Sequence, residues 1–131
     1  MAKRTKGKVS SRKVVADDGQ IFGSEVEYER YKILCEWQRI GLIRGLRRNM
    51  SFELLPDIFE DITVQMKTKV KEQRIILFRK EELLVHFVYE EDGIEKYEVV
   101  LESSRMPEKV FELKKKLMYF VHNIKVKEYK Q

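Results

Sequence analysis

Hydrophobic patterning is densest in Leu83–Ser104, LLVHFVYEEDGIEKYEVVLESS, where two runs rich in β-branched and aromatic residues, Leu83–Tyr89 and Tyr97–Leu101, flank Asp92-Gly93. That dipeptide between such runs is a strong β-hairpin signal. Leu84, Val85, Phe87 and Val88 are apolar without alternation, as are Val99, Val100 and Leu101. Loss of alternation predicts central strands covered on both faces. His86, Glu102 and Ser104 interrupt these runs and mark where chemistry is to be sought.

Upstream, Ser24-Glu25-Val26-Glu27 fits a helix capping box, and Val26, Ile33, Leu34, Trp37 and Ile40 recur at helical spacing until Gly41. Val14–Phe22 predicts a short strand or turn around Asp17-Asp18-Gly19. Met50–Leu55 reads as a strand stopped by Pro56, Ile62–Lys67 alternates like another, and Arg74–Phe78 is a third. After the hairpin, Ser103 or Ser104 caps a second helix with Pro107 in its first turn. Val110, Leu113, Leu117, Phe120 and Val121 supply its apolar stripe, Asn123 closes it, and Ile124–Tyr129 alternates as a final edge strand. The order helix, antiparallel strands, helix, strand predicts an α+β fold with a mixed sheet.

Composition narrows the picture. At 131 residues and 43% hydrophobic, the chain suits one domain with a real core. No apolar run approaches the ~20 residues of a membrane span, and no signal-peptide pattern is present. The single Cys35 excludes an internal disulfide and a cysteine zinc cluster, which points to a reducing, cytoplasmic setting; Cys35 itself reads as packing filler. Net charge is +5, yet residues 1–16 hold Lys3, Arg4, Lys6, Lys8, Arg12 and Lys13 and no acid, leaving the remainder at −1. This divides the chain into a flexible basic arm, 1–16, and a single domain, 17–131. Such arms commonly bind nucleic-acid phosphates; the plainer alternative is a solvated tail.

Short motifs then suggest a family. Phe22-Gly23-Ser24-Glu25-Val26-Glu27-Tyr28-Glu29-Arg30-Tyr31 is similar to a helix start of the form FDSKxEARRY. Gly41-Leu42-Ile43 with Leu46 matches G-x-I-x-x-L, and Asn49 and Phe52 stand where Gln and Phe are usual. His86-Phe87-Val88-Tyr89 sits on DFVY, Val99-Val100-Leu101-Glu102-Ser103-Ser104-Arg105 on VVEDVKG, and Phe111–Met118 on a helix rich in Lys and Leu. Over residues 20–131 the chain resembles small phage-encoded nucleases of the PD-(D/E)XK, or restriction-endonuclease-like, superfamily.

The resemblance implies Mg²⁺ held by carboxylates of the first helix and hairpin, with a lysine two residues beyond the last carboxylate. Glu27 and Glu102 fall on two of the family's acids, whereas His86 replaces the first-strand Asp, Ser104 the lysine and Leu101 a further acid. A neutral imidazole suits Mg²⁺ poorly and Ser supplies no cation, so the expectation is a degenerate site with no cofactor, Mg²⁺ entering only if activity persists. Each residue also has a structural reading: Glu27 as cap partner, Glu102 solvated or paired with Arg105, His86 as a hydrogen-bonded core histidine. Lys109 or Lys114 is the candidate for a relocated catalytic lysine. The expected function is a catalytically inactive nuclease-fold protein binding DNA, or a host or phage protein. DNA contact is expected from the arm, Arg44, Arg47, Arg48, Lys114, Lys115 and Lys116. The alternative is an active Mg²⁺-dependent endonuclease on branched DNA with relocated residues. A viral assembly protein and any oligomeric state stay open.

Overall fold

The computed structural model describes residues 13–130, so Lys3, Arg4, Lys6, Lys8 and Arg12 of the basic arm lie outside the described residues. Lys13 is exposed, and the two residues after it already pair: Val14–Val15 (β1) and Ile21–Phe22 (β2) form a small antiparallel ladder around the expected Asp17-Asp18-Gly19 turn. The first helix, α1 (Glu25–Arg39), is N-capped by Ser24 as expected, and Gly41 follows its C-cap at φ 88°, a conformation that suits glycine.

Then come β3 (Arg44–Leu55), β4 (Ile58–Gln65), β5 (Val70–Phe78), β6 (Glu81–Glu91) and β7 (Ile94–Val99). The β6–β7 turn is Asp92-Gly93, both at positive φ, as a two-residue hairpin turn requires. A single helical turn, α2 (Leu101–Ser104), leads through left-handed Arg105 to α3 (Glu108–His122), and Asn123 at φ 59° closes α3 as expected. β8 (Val126–Glu128) then lies parallel to β7 at the sheet edge. The four-stranded mixed sheet has the order β3-β6-β7-β8, while β4 and β5 form a separate two-stranded ribbon. The architecture is α+β. β6 and β7 are the inner strands, and Val85–Tyr89 is buried throughout, as the lost alternation predicts, whereas Leu84 of the same run is exposed.

The core has two halves. Leu54, Leu83, Val85, Val88 and Val99 pack beneath Phe111 and Met118 of α3, whereas Ile43, Phe87, Tyr89 and Val100 pack beneath Val26 and Leu34 of α1. Along β6, Val85 thus serves the α3 half and Phe87 the α1 half, although residues two apart on a regular strand share a face. The partner strand does the same: Met50 packs against the α3 half, whereas Arg48 joins Glu27 of α1. Between them the register sets Asn49, at φ 57°, opposite His86. The apolar face of both strands changes side at that rung.

Three expectations need correction. The α1 stripe is not uniformly apolar: Ile33 and Ile40 are exposed, and Glu27 and Arg30 are buried with Val26 and Leu34 because ion pairs neutralise them. In α3 the buried face is Phe111 and Met118; Val110, Leu113, Phe120 and Val121 of the expected stripe are exposed, because apolar residues surround this helix and the sheet beneath it selects which face is buried. The second hairpin strand ends at Val99, so Leu101–Ser104 is helical, and Pro107 stands at the N-cap of α3 without a side-chain cap bond.

Candidate functional site

Where α1 begins, its free backbone N–H groups need acceptors, and here the sequence supplies a serine and a glutamate. Ser24 Oγ accepts from the Glu27 N–H at 3.2 Å. Glu27 reaches back, its Oε1 accepting from the Gly23 N–H at 2.9 Å. The capping box therefore forms, with its return bond falling one residue before the cap. The same Oε1 accepts the Ser103 hydroxyl of α2 at 2.6 Å. Ser103 has one proton and gives it to Glu27, so in the 2.8 Å contact between the serines Ser24 donates to Ser103. Gly23 makes room for this: a Cβ there would lie 2.8 Å from the Ser103 Cβ.

The other carboxylate oxygen faces β3. Arg48 Nη2 donates to Glu27 Oε2 at 3.2 Å, and these side chains are only 14% and 3% exposed. Nη1 donates to Gln20 Oε1 at 2.9 Å and Nη2 also to the Ile21 carbonyl at 3.1 Å, while the guanidinium carbon lies 3.9 Å from the Phe22 ring centre. Arg48 thus clamps the β1–β2 ladder onto α1. Among the described residues its Nε is buried without a partner. A guanidinium stacks on an aromatic face in a way that an ammonium does not match.

His86 completes the group. It is 3% exposed, and its Nδ1 accepts the Val100 N–H at 2.9 Å. An accepting Nδ1 carries no proton, so the neutral ring has its proton on Nε2. Burial holds its pKa below the ordinary histidine value; nearby Glu27 opposes that and Arg48 adds to it. The neutral ring's one lone pair is committed to Val100, so it has none left for a metal.

The structure brings Glu27, Arg48, His86 and Ser103 together and leaves others apart. Glu102 is exposed on α2, not on the hairpin strand, because the strand ends three residues earlier. Ser104 Oγ turns to the Val100 carbonyl at 3.3 Å, so Ser103 and not Ser104 meets the glutamate. Of the expected DNA contacts, Arg44 pairs with Glu90, Arg47 with Glu95, Lys114 with Glu81 and Lys115 with Glu112. Among the described residues the ion pair of Glu27 is with Arg48, and neither candidate relocated lysine, Lys109 or Lys114, pairs with it.

A second buried cluster was hidden in the sequence. Arg30 donates to both oxygens of Glu98 at 2.9 and 2.6 Å, and Tyr89 donates to Glu98 at 2.5 Å. The Arg30 guanidinium lies 4.4 Å from the Tyr129 ring centre and 4.9 Å from that of Trp37. Burial, then the bond to Glu98, pushes the Tyr89 hydroxyl pKa far up. The available signal was Arg30 itself, four residues from both Val26 and Leu34 on the apolar stripe.

Among the described residues no three His, Cys, Asp or Glu side chains converge to hold a metal. The local donor set also fits Mg²⁺ poorly, since Glu27 already receives Arg48, Ser103 and Gly23. Apart from Arg48 Nε, the group satisfies itself: an acid, a guanidinium, two hydroxyls and a neutral imidazole close the junction of α1, β3, β6 and α2. No family model, curated protein or solved structure matches the chain.

Proposed function

We propose that this chain is a nuclease-fold protein in which an arginine has taken the place of the catalytic metal, leaving a nucleic-acid-binding factor that does not cut. One observation carries the reading. Glu27, which matches the helix acid of PD-(D/E)XK nucleases, is paired with Arg48 at 3.2 Å. The neighbouring His86, on the position of the metal-binding Asp, spends its lone pair on Val100. The order helix, three antiparallel strands, helix and parallel strand supports a restriction-endonuclease-like core. The +6 charge of residues 1–16 supports phosphate binding through the arm.

The test has two arms. Purified protein should neither nick plasmid nor cut a four-way junction with Mg²⁺ or Mn²⁺. His86→Asp with Ser104→Lys and Arg48→Gln should gain metal-dependent nicking that Glu27→Ala abolishes. Robust cleavage by the unmodified chain would overturn the reading in favour of a relocated active site. In the second arm, duplex DNA should bind with log K falling by ~0.9 per phosphate contacted as log salt rises, and deleting residues 1–13 should flatten that slope. Absence of binding would redirect the search to a protein partner.

A further inference from the structure

A cavity of about 390 Å³ lies between α1 and the β6–β7–β8 part of the sheet, and none of Glu27, Arg48, His86 or Ser103 lines it. Its lining includes the buried Arg30–Glu98–Tyr89 cluster and the half-buried ring of Trp37, two helical turns beyond Arg30. Arg30 is 9% exposed and spends Nε and Nη2 on Glu98. Its Nη1 has no hydrogen-bond acceptor among the described residues. A guanidinium donates and never accepts, so what Nη1 lacks is an anion or a carbonyl.

The sheet register gathers further cations around it. β7 and β8 run parallel with Tyr97↔Val126 and Glu98↔Lys127, so Lys127 shares the face of Glu98. Alternation adds Lys96 and Lys125, which stand one step before the Tyr97↔Val126 pair. All three lysines are exposed and line the cavity, and among the described residues none has an ion pair. The acids of the lining do not answer them: Glu98 is taken by Arg30 and Tyr89, and Glu95 by Arg47, which leaves Glu91. Like charges on strands ~4.8 Å apart repel each other. Lysines on an edge strand also deter strand pairing, but Lys96 lies on inner β7, and that role needs no cavity. A second, open groove shares Lys125 and carries Lys116 and the exposed ring of Tyr119.

Unpaired cations, an aromatic wall and a cavity in the size range of small-ligand sites suit one ligand chemistry. An anion answers Nη1 and the lysines, and a planar ring answers Trp37. A nucleotide carries both. In a duplex each base is stacked on both faces and keeps its ring from the protein, so the match is to an unpaired nucleotide. We propose that this cleft holds one nucleotide of a single strand, its base against Trp37 and its phosphate among Lys96, Lys125 and Lys127, with Arg30 Nη1 donating from the floor. The groove past Lys125, with Lys116 and Tyr119, takes the neighbouring nucleotide. The inference rests on the reading of the chain as a nucleic-acid-binding factor and gives it a strand site separate from the basic arm.

Trp37 is the single tryptophan, so its fluorescence reports the cleft directly. Titrating the full chain with oligo-dT of about 12 nucleotides should quench that fluorescence saturably, whereas a duplex of the same length should bind without quenching. Lys96→Gln with Lys125→Gln, at two exposed positions, should weaken strand binding about tenfold and lower the slope of log K against log salt by ~1.4, with the far-ultraviolet spectrum unchanged. Lys96→Arg with Lys125→Arg should keep both near wild type. Strand binding that leaves Trp37 fluorescence unchanged, or that ignores the glutamine variants, overturns the cleft and leaves nucleic-acid binding to the arm. Absence of binding by strand and duplex alike removes the nucleic-acid reading together with this one. Deoxythymidine monophosphate binding as tightly as the strand would make the cleft a mononucleotide site instead, and equal quenching by oligoglutamate would make it a site for acidic peptides; either result overturns the strand assignment.

Discussion

Replacing Arg48 by Met tests whether the guanidinium holds the site together. The change removes the partner of a carboxylate that is 3% exposed. Stranding one member of a buried pair costs about 3–5 kcal/mol. Two features argue for the lower end. Glu27 keeps its bonds from Gly23 and Ser103, and the unpartnered Nε leaves with the side chain. Lost bonds to Gln20 and Ile21 and the contact with Phe22 act the other way, each worth about 1 kcal/mol. The expected cost is therefore about 3 kcal/mol, a fall in Tm of roughly 10 °C for a chain of this size. Trp37, the single tryptophan, reports urea unfolding from beside Arg30. Glu27→Gln alone should cost about 2 kcal/mol, because the amide leaves Arg48 without its anion. The double variant, with neither charge, should cost less than the sum by about 2 kcal/mol or more. If each single change costs under about 0.5 kcal/mol and the pair is additive, Arg48–Glu27 behaves like a surface ion pair and the arginine does not stand in for a metal.

Three further outcomes follow from the same geometry. The folded pKa of His86 lies below the ordinary histidine value, so above about pH 6.5 both states are neutral and stability is full. Below that the unfolded chain takes a proton that the folded chain refuses, and stability falls by up to about 1.4 kcal/mol per pH unit until the lowered pKa is reached. His86→Asn, whose carbonyl can accept from Val100, should flatten urea-derived stability between about pH 5 and 6.5 relative to wild type; an unchanged slope would refute a buried neutral ring. Gly23→Ala should cost about 1–3 kcal/mol, because its Cβ would meet the Ser103 Cβ at 2.8 Å, and a neutral result by urea unfolding would mean that α2 yields freely. Tyr89→Phe should cost about 1–2 kcal/mol and leave the tyrosine absorbance change near pH 10 undiminished, since the buried phenol does not ionise there.

Much of the scaffold was legible. The Asp92-Gly93 turn, the Ser24 cap, Gly41 and Asn123 are local signals, each tied to a backbone conformation that few residues tolerate, and each falls where the pattern places it. The unbroken apolar runs identified β6 and β7 as inner strands. Phase was harder. In α3, apolar residues at 110, 111, 113, 117, 118, 120 and 121 leave several faces eligible, and only the sheet beneath selects Phe111 and Met118. Arg48 was legible as a cation and not as an ion-pair partner, because Glu27 is distant in sequence and the packing of α1 against β3 brings it close.

The site itself follows from the rung at which the strands change face. A regular β3–β6 pair would keep Arg48 and Met50 on one side, and either the arginine would enter the α3 core or the methionine would leave it. Left-handed Asn49 opposite His86 resolves the conflict, sending Arg48 toward α1 and Met50 toward α3. Asn tolerates that conformation far better than a β-branched residue, so a polar residue inside a strand here marks a backbone requirement. His86 on the facing strand is buried at the same crossing, and its Nδ1 ties that strand to Val100, where β7 gives way to α2. Ser103 on the next helical turn then reaches Glu27 and closes the circuit. Apart from Arg48 Nε, the polar groups of the circuit answer one another through these bonds. Such a circuit is a durable way to bury charge, and in it both oxygens of Glu27 already accept hydrogen bonds.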